Sequence, residues 1–162
     1  MNEKKTVDEN AAQVVEKLMK RGQTISFAES CTGGLAVAKL VDVPAASNVL
    51  NASVVTYANS AKVEYLGVSE ETIAADGVVS ESVVAQMAQG VAKRNNAQVG
   101  VGISGVAGPT GGTDKKPVGM VCFGFYVEGE VYTYTKYFGE LGRNVVRALS
   151  VEFVYEILNE KL

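Results

Sequence analysis

Short β-rich segments alternate with helical segments over the first two-thirds of the chain, and this alternation restricts the folds open to it. Apolar residues recur at helical spacing over 7–19, and the β-rich segment Thr24–Glu29 follows the glycine that ends this helix. The β-rich segments Ala52–Tyr57 and Val99–Ser104 are also preceded by helical segments. Further helices are predicted to begin at Leu35, Asn59, Ser69 and Ser80. Strands separated by helices can pair in parallel, so we expect these three strands to share one sheet.

The last third of the chain has a different pattern, because two β-rich segments follow one another directly. Val118–Val127 and Val131–Phe138 flank the turn residues 128–130, which predicts an antiparallel hairpin, and a helix over Arg143–Leu158 follows. The sequence therefore predicts an α/β fold, a single-domain mixed β-sheet (parallel plus an antiparallel hairpin) with helices packed on it. We assign residues 1–162 to this one domain and expect disorder over about residues 1–6.

The charge and the apolar content exclude several classes of protein. The 162 residues carry a net charge of −3 and 47% of them are hydrophobic. These values are typical of a globular protein and unlike those of a nucleic-acid-binding module, whose charge is basic. No apolar run approaches the ~18–20 residues of a membrane span, and Met1–Glu9 lacks the apolar core of a signal peptide. Two cysteines do not form a disulfide framework, so we expect a reducing compartment and hence a cytoplasmic protein. From the charge and the short apolar runs, we expect neither nucleic acid nor a membrane among its partners.

Histidine is absent from the sequence, and its absence limits the chemistry of any active site. A Ser-His-Asp triad, a Cys-His pair and a His-ligated metal are all excluded. A hydrolase without a metal then needs a lysine, a carboxylate or a tyrosine as its general base. We expect neither a metal nor a cofactor.

The segment Ala28–Gly34 joins a predicted strand to a predicted helix through small residues. Such a turn directs main-chain N–H groups outward at the positive end of the helix dipole, where they can bind a phosphate or a carboxylate. The alternative is that Ser30 or Thr32 only caps the helix. Cys31, near this helix N-terminus, is a weaker candidate nucleophile, whereas Cys122 lies in an apolar strand and is expected in the core.

A glycine-rich loop, Gly105–Pro117, follows the apolar strand that ends at Ser104. In open α/β sheets, ligands bind at the loops that follow strand ends. Lys115 and Lys116 would add positive charge to such a site. The other interpretation is a solvated connection that carries an exposed lysine pair.

A serine nucleophile in a protein without histidine needs another base, and a lysine with a lowered pKa is the known substitute. Ser47, Tyr57 and Lys62 form such a set, with Tyr57 at a strand end and Lys62 one turn into the next helix, which Asn59 is expected to cap. The alternative is that Lys62 is an ordinary surface lysine.

Two arginines, Arg143 and Arg147, lie four residues apart at the start of the last helix and so share one of its faces. Either one could hold a phosphate through a bidentate guanidinium. The alternative is a surface ion pair with an acid such as Glu140.

Several motifs occur together in one order and carry a resemblance to a known family. They are Ala28-Glu29-Ser30-Cys31-Thr32-Gly33-Gly34, Val55-Thr56-Tyr57-Ala58-Asn59-Ser60-Ala61-Lys62, Gly77-Val78-Val79-Ser80, Ile103-Ser104-Gly105-Val106-Ala107-Gly108-Pro109 and Lys116-Pro117-Val118-Gly119. From about Thr24 to the last helix, the sequence resembles the CinA C-terminal domain family, the nicotinamide-mononucleotide amidohydrolases.

The resemblance implies hydrolysis of the carboxamide of nicotinamide mononucleotide to nicotinate mononucleotide and ammonia, in pyridine-nucleotide salvage, by a Ser-Lys mechanism without a cofactor. It implies catalytic roles for Ser47, Tyr57 and Lys62, and Ser30 is the rival nucleophile. The substrate-binding residues expected from the motifs are Ser30, Thr32, Gly33, Asn59, Ser104, Gly105, Gly108 and Arg143.

The sequence departs from the family pattern at Ala45 and Ser53, where family members usually have glycine. Many members carry this domain behind a larger molybdopterin-binding-like domain, so the chain is expected to be a stand-alone form or a fragment of a longer fusion. We expect a small nucleotide as the substrate and a homo-oligomer, with a dimer favoured. The alternative functions are a nucleotide-binding or regulatory module without turnover and an interaction partner in competence (DNA uptake) or the DNA-damage response.

Overall fold

A five-stranded sheet runs through the protein and is covered by helices on both faces; the computed structural model describes residues 4–162. In chain order the elements are α1 (Val7–Arg21), β1 (Ile25–Glu29), α2 (Leu35–Val41), β2 (Val54–Val55), α3 (Asn59–Leu66), α4 (Glu70–Asp76), α5 (Glu81–Arg94), β3 (Val99–Gly105), β4 (Met120–Val127), β5 (Glu130–Tyr137) and α6 (Arg143–Lys161). A short 3-10 turn, Ala46–Asn48, lies between α2 and β2. Among these helices, none is both long and apolar enough to cross a membrane.

The strand order is β2-β1-β3-β4-β5. β1 pairs in parallel with β2 and with β3. β3 pairs with β4 and β4 pairs with β5, both in antiparallel orientation. The predicted mixed sheet is therefore confirmed. Because β1, β2 and β3 are parallel, all three end at one edge of the sheet, which we call the C-terminal edge.

Two apolar cores lie on opposite faces of the sheet. One core packs α1, α2 and α6 against the sheet, and the other packs α3, α4 and α5 against it. We call these the α6 face and the α5 face. The arrangement follows from the amphipathic pattern of the helices, each of which buries one apolar stripe.

The close packing of α5 on β3 depends on the alternation of residues in that strand. The apolar residues of β3 at 99, 101 and 103 belong to the core of the α6 face, so the intervening glycines point at α5. A Cβ atom at Gly100 would lie 2.1 Å from the carbonyl oxygen of Ala88, and one at Gly102 would lie 2.5 Å from that of Val84. The backbone of α5 therefore rests directly on the strand, which no larger residue would permit.

Strand β2 is much shorter than the predicted 52–57, because a side chain replaces part of its ladder. The Oγ atom of Ser53 accepts the N–H of Phe27 at 2.9 Å, in the position where a carbonyl of a longer strand would bind. The capping role predicted for Asn59 is also wrong. Ala58 is the residue that precedes α3, and it makes no side-chain capping bond, while Asn59 is already helical.

The beginning and the end of the described chain also differ from expectation. Residues 1–3 of the segment expected to be disordered lie outside the described residues, but Lys4 forms an ion pair with Glu156 at 2.8 Å. Thr6 caps α1 by accepting the N–H of Glu9. In α6, the spacing of apolar residues predicts that Val145 faces inward, but Val145 is 47% exposed, because the buried stripe of the helix runs through residues 146, 150, 154 and 158.

Candidate active site

Three segments meet at the C-terminal edge of the sheet. They are the turn Ser30–Gly34 after β1, the residues Thr56–Tyr57 after β2, and the end of β3 at Ser104–Gly105. The strand register places Glu29 opposite both Val55 and Ile103, so the residues that follow become neighbours. Loops that follow parallel strands are where open α/β sheets bind ligands.

Lys62 lies beneath this edge and is 1% exposed. Its Nζ atom donates to the Oγ atom of Ser30 at 3.2 Å, to the carbonyl of Thr56 at 2.8 Å and to the carbonyl of Tyr57 at 3.2 Å. Within residues 4–162, no carboxylate forms an ion pair with it. Burial lowers the pKa of Lys62, and the nearby Cys31 thiol offsets this effect only in part. A lysine in this state can act as a base toward Ser30.

Ser30 is half-buried at the start of the turn, and β3 holds its main chain in place. Its N–H donates to the carbonyl of Ile103 at 3.1 Å. Ser104 follows Ile103 in β3, so Ser104 is a neighbour of Ser30 across the parallel pair, and it is 2% exposed. Strand register thus brings together Ser30 and Ser104, which were both expected to bind substrate.

The structure does not bring Ser47 to Lys62, which corrects the expected contact between them. Ser47 is exposed in the 3-10 turn, and the residues after it return to the start of β1, where the N–H of Ile25 donates to the carbonyl of Val49 at 2.8 Å. Ser30 lies at the other end of β1, roughly 16 Å further along at about 3.3 Å per residue. Ser47 and Lys62 are close in sequence, but the chain crosses the length of the sheet between them.

The two departures from the family pattern also lie away from the Ser30–Lys62 contact. Ala45 precedes the turn that carries Ser47 and has a φ of 70°, a left-handed conformation that costs an alanine roughly 1–2 kcal/mol relative to glycine. Ser53 uses its hydroxyl to satisfy the N–H of Phe27. Both departures therefore affect local stability rather than the geometry of Ser30.

Glu29 explains why the turn after β1 has its shape, and the sequence analysis assigned it no role. Its carboxylate is fully buried and accepts the N–H groups of Gly34 at 3.0 Å, Ala36 at 3.1 Å and Val37 at 2.8 Å. These are the first N–H groups of α2, which were expected to bind a substrate anion or to be capped by Ser30 or Thr32. Glu29 therefore occupies the helix N-terminus, so neither Ser30 nor Thr32 caps α2, and these three N–H groups are not available to a substrate anion. An acid immediately before a small-residue turn is the signal that could have indicated this.

Tyr57, Arg143 and Gly108 form the rim of the site. The guanidinium of Arg143 donates to the Tyr57 hydroxyl at 2.7 Å and to the carbonyl of Gly108 at 3.0 Å. Tyr57 is 58% exposed, so its ring faces outward, while its main-chain carbonyl accepts from Lys62. Arg143 thereby joins the segment after β2 to the loop after β3.

The remaining residues expected to bind substrate differ in how close they come to Ser30. Thr32 is fully buried in the turn, and its hydroxyl has no hydrogen-bond partner among the described residues. Gly33 is the exposed tip of the turn, and Gly105 ends β3 next to Ser104. Asn59 is exposed at the first position of α3.

Arg147 has a role that the sequence analysis did not identify. Its Nε atom donates to the carbonyl of Cys31 at 3.0 Å, and its Nη2 atom donates to the carbonyl of Thr32 at 3.1 Å. The alternative of a surface ion pair with Glu140 is wrong for both arginines, since Arg143 and Arg147 bind main-chain carbonyls and neighbouring polar side chains instead. Only the folded arrangement of α6 over the turn reveals this use of Arg147.

The glycine-rich loop contributes shape to the site, and one of its two lysines, Lys116, is used within the fold. The Nζ atom of Lys116 donates to the carbonyl of Val79 at 2.6 Å, so the loop is tied to the residues just before α5. Near Arg143, the same loop lines a cavity of about 270 Å³ together with Glu140 and Gly142. The loop therefore borders the site through Gly108 and its neighbours.

The two thiols are poor candidates for nucleophiles. Cys31 is 5% exposed, and burial raises its pKa to about 11. Cys122 is fully buried in β4, and burial raises its pKa as well, in agreement with its expected place in the core. No group of three or more Cys, Asp or Glu side chains in the described part of the chain is arranged to hold a metal ion.

Comparison with known proteins gives one consistent result. Residues 7–162 match the model of the CinA C-terminal domain. A CinA-like protein of Kosmotoga olearia is 44% identical over 149 residues, which cover 92% of this chain and 36% of that protein. A CinA-like protein of Fervidobacterium nodosum is 56% identical over 109 residues, which cover 67% of this chain and 27% of that protein. The chain thus matches about a quarter to two-fifths of the length of these curated relatives.

Solved structures agree with the sequence comparison. The competence/damage inducible protein CihA from Agrobacterium tumefaciens has a TM-score of 0.92 and 36% identity, with 95% of this chain and 94% of that chain covered. A competence-damaged protein (CinA) superfamily protein from Escherichia coli has a TM-score of 0.93 and 32% identity, with 97% and 91% covered. With its fold, its motifs and the edge of the sheet that they build, the chain belongs to the CinA C-terminal domain family.

Proposed function

We propose that this protein hydrolyses the carboxamide of nicotinamide mononucleotide to nicotinate mononucleotide and ammonia, with Ser30 as the nucleophile and Lys62 as the general base. The observation that carries the proposal is the 3.2 Å hydrogen bond between Lys62 Nζ and Ser30 Oγ, made by a lysine that is buried without an ion-pair partner. A buried base beside a serine is the arrangement that serine hydrolysis needs when histidine is absent. The choice of substrate rests on the resemblance to the amidohydrolase family.

In the first half of the reaction, neutral Lys62 takes the proton of Ser30 while the serine oxygen attacks the carboxamide carbon. A C–O bond forms, and the electron pair of the carbonyl moves to its oxygen to give a tetrahedral oxyanion. When this intermediate collapses, the C–N bond breaks and the Lys62 ammonium gives its proton to the leaving ammonia. Ser30 then carries the nicotinate group as an ester.

In the second half, a water molecule attacks the ester and Lys62 takes its proton. The bond between the acyl carbon and the Ser30 oxygen breaks, and the proton returns to that oxygen. The product is the free carboxylic acid, so one amide and one water become one acid and one ammonia. Lys62 serves as base and acid in turn because its pKa lies below that of an ordinary lysine.

Tyr57 and Arg143 are suited to bind the rest of the substrate. The exposed ring of Tyr57 offers an aromatic face to the positively charged pyridinium. The Arg143 guanidinium has five N–H donors, of which two are used by Tyr57 and Gly108, so three remain for a phosphate. In this assignment Tyr57 binds and orients the substrate, and Lys62 rather than Tyr57 gives the proton with which the amide nitrogen leaves as ammonia.

The first test is ammonia release from nicotinamide mononucleotide, nicotinamide riboside, free nicotinamide and glutamine. We expect turnover of the mononucleotide, with a kcat/KM for the riboside about 10- to 100-fold lower, because charged hydrogen bonds to the phosphate contribute about 1.5–3 kcal/mol. Equal kcat/KM values for riboside and mononucleotide would contradict the phosphate assignment. Binding of the mononucleotide without ammonia release would instead favour a nucleotide-binding module.

A further inference from the structure

The turn after β1 contains two main-chain donors that the protein leaves without acceptors. The N–H groups of Ser30, Gly33 and Gly34 all donate to oxygen atoms of neighbouring residues. Within residues 4–162, the N–H groups of Cys31 and Thr32 donate to no other residue. Both residues are buried, at 5% and 0% exposure, and buried main-chain donors are almost always paired. The turn is therefore built to receive an acceptor from outside the chain.

A third unpaired donor lies in the same place. The Thr32 hydroxyl is buried and has no partner among the described residues. An unpaired hydroxyl and two unpaired N–H groups thus follow directly on Ser30 in the chain. Their number and their position next to the serine in the chain suit an oxygen that carries negative charge, because such an oxygen accepts several hydrogen bonds.

Arg147 fixes the direction of one of these donors, the N–H of Thr32. In a trans peptide the C=O and the following N–H point to opposite sides. The Arg147 guanidinium binds the Cys31 carbonyl from α6, so the N–H of Thr32 in that peptide points away from α6. The α5 face lies in that direction, and Lys62 reaches Ser30 from α3 on that face.

The same guanidinium also limits movement of the turn. It binds two consecutive carbonyls, those of Cys31 and Thr32, and a third bond to Asn144 Oδ1 fixes its own plane. A Cβ atom at Gly33 would lie 3.3 Å from Arg147 Nη2, so the turn and the guanidinium are in close contact. The positive charge on the Cys31 carbonyl also polarises that peptide and strengthens the N–H of Thr32 as a donor.

We infer that the N–H groups of Cys31 and Thr32 form an oxyanion-binding site for tetrahedral adducts of Ser30, and that Arg147 is the positioning residue that holds this site in shape. The inference rests on the proposed function for its natural substrate, a carboxamide. The site itself accepts the oxyanion of any serine adduct, whether its central atom is carbon or phosphorus.

The kinetic experiment uses Arg147→Met, Arg147→Lys and the control Arg94→Met with nicotinamide mononucleotide. Arg94 lies at the far end of α5 over the ring of Tyr65 and contacts nothing at the C-terminal edge. For Arg147→Met we expect kcat to fall by about 10²- to 10³-fold, the loss typical of an oxyanion donor, with KM changed by less than about twofold. The midpoint of the pH–rate profile stays at its wild-type value, because Lys62 keeps its surroundings. Arg147→Lys retains the charge but binds one carbonyl at a time, so we expect its kcat to fall at least about tenfold.

A second readout does not depend on the natural substrate. An alkyl fluorophosphonate reacts with a serine nucleophile as the O–P bond forms, the P–F bond breaks, fluoride leaves and the serine proton passes to Lys62. We expect intact-protein mass spectrometry to find one adduct, on Ser30, formed about 100-fold more slowly in Arg147→Met. In the labelled wild-type protein, the amide-proton NMR signals of Cys31 and Thr32 move downfield more than those of Gly33 and Gly34, whose acceptors lie within the protein.

The outcomes separate the two claims. Labelling that depends on Arg147, without turnover of the mononucleotide, supports the oxyanion site and overturns the proposed substrate. Turnover of the mononucleotide with kcat of both Arg147 variants within threefold of wild type overturns the inference and leaves the proposed function standing. If both variants fail to fold, the NMR shifts of the wild-type adduct decide, and unchanged signals for Cys31 and Thr32 overturn the inference. If the alkyl fluorophosphonate does not modify Ser30 in the wild-type protein, the inference is overturned as well.

Discussion

Lys62 is the residue whose surroundings are least ordinary for its type. A lysine is rarely fully buried without an acidic partner, yet Lys62 is 1% exposed and its three donors bind two carbonyls and one hydroxyl. Removing an ammonium from water is costly, so the fold bears a free-energy cost to keep this amine beside Ser30. Such a cost is expected where a side chain serves chemistry rather than stability.

The lowered pKa of Lys62 predicts a pH-dependent difference in stability between the wild type and Lys62→Met. Between the lowered folded pKa and the ordinary value of 10.5, the unfolded chain binds more protons than the folded one, so the wild-type free energy of unfolding rises with pH there. At lower pH the ammonium is present in both states and the fold carries the whole cost of burying it. We therefore expect Lys62→Met to be more stable than wild type near pH 7, with the difference shrinking as the pH approaches 10.5.

Urea unfolding from pH 7 to 10 measures this difference. Lys39→Met is the matched control. Asp8 and Asp42 raise the pKa of Lys39, so the stabilisation that the charged Lys39 contributes is lost only above this pH range. A difference between Lys62→Met and wild type that is constant across the range would contradict a lowered pKa for Lys62.

Helix α2 shows how one residue organises an element and the site together. Its first N–H groups are bound by the buried carboxylate of Glu29 rather than by a residue at the helix start, and Gly34 has no side chain with which to cap it. The cap comes from the last residue of β1, so strand, turn and helix are joined within a few residues. The turn that carries Ser30 therefore has little freedom to move.

Glu29→Gln tests this role at the scale of the element. An amide oxygen and an NH₂ group cannot accept all three N–H groups, so at least one buried donor is left unpaired. We expect the free energy of unfolding to fall by about 1–3 kcal/mol, and kcat to fall because the Ser30 turn loosens. The comparison variant is Glu9→Gln, which weakens the exposed capping box of α1 and should lower the free energy of unfolding less than Glu29→Gln does. Equal stability of Glu29→Gln and wild type would mean that Glu29 does not hold α2.

At the scale of the whole molecule, the parallel order β2-β1-β3 is what assembles the site. Ser30 and Tyr57 follow strands that end at the C-terminal edge, Ser104 lies near the end of β3 at the same edge, and α3 places Lys62 beneath them. The last helix crosses the same edge from the other face and contributes Arg143 and Arg147. One edge of one sheet thus collects nucleophile, base and binding groups.

The sequence was sufficient to predict the mixed sheet, because hydrophobic periodicity and turn residues specify elements locally. It also indicated that Lys62 was a candidate base, since histidine is absent. It was not sufficient to predict which serine Lys62 would meet. Ser47 is nearer to Lys62 in the chain, whereas Ser30 is brought to it by strand pairing, and a tertiary contact of this kind leaves no periodic trace. The same holds for Arg147, whose partners are main-chain carbonyls about 115 residues away.

The measurement that tests the account most directly is kcat for ammonia release from nicotinamide mononucleotide by Ser30→Ala, Lys62→Met, their double variant and Ser47→Ala. Residues that act as one unit are not additive, so we expect both single variants and the double variant to lose kcat by a similar factor, on the order of 10⁴ or more. Ser47→Ala, exposed at the far end of β1, should stay within about twofold of wild type. Near-normal turnover by Ser30→Ala together with an inactive Ser47→Ala would contradict the account.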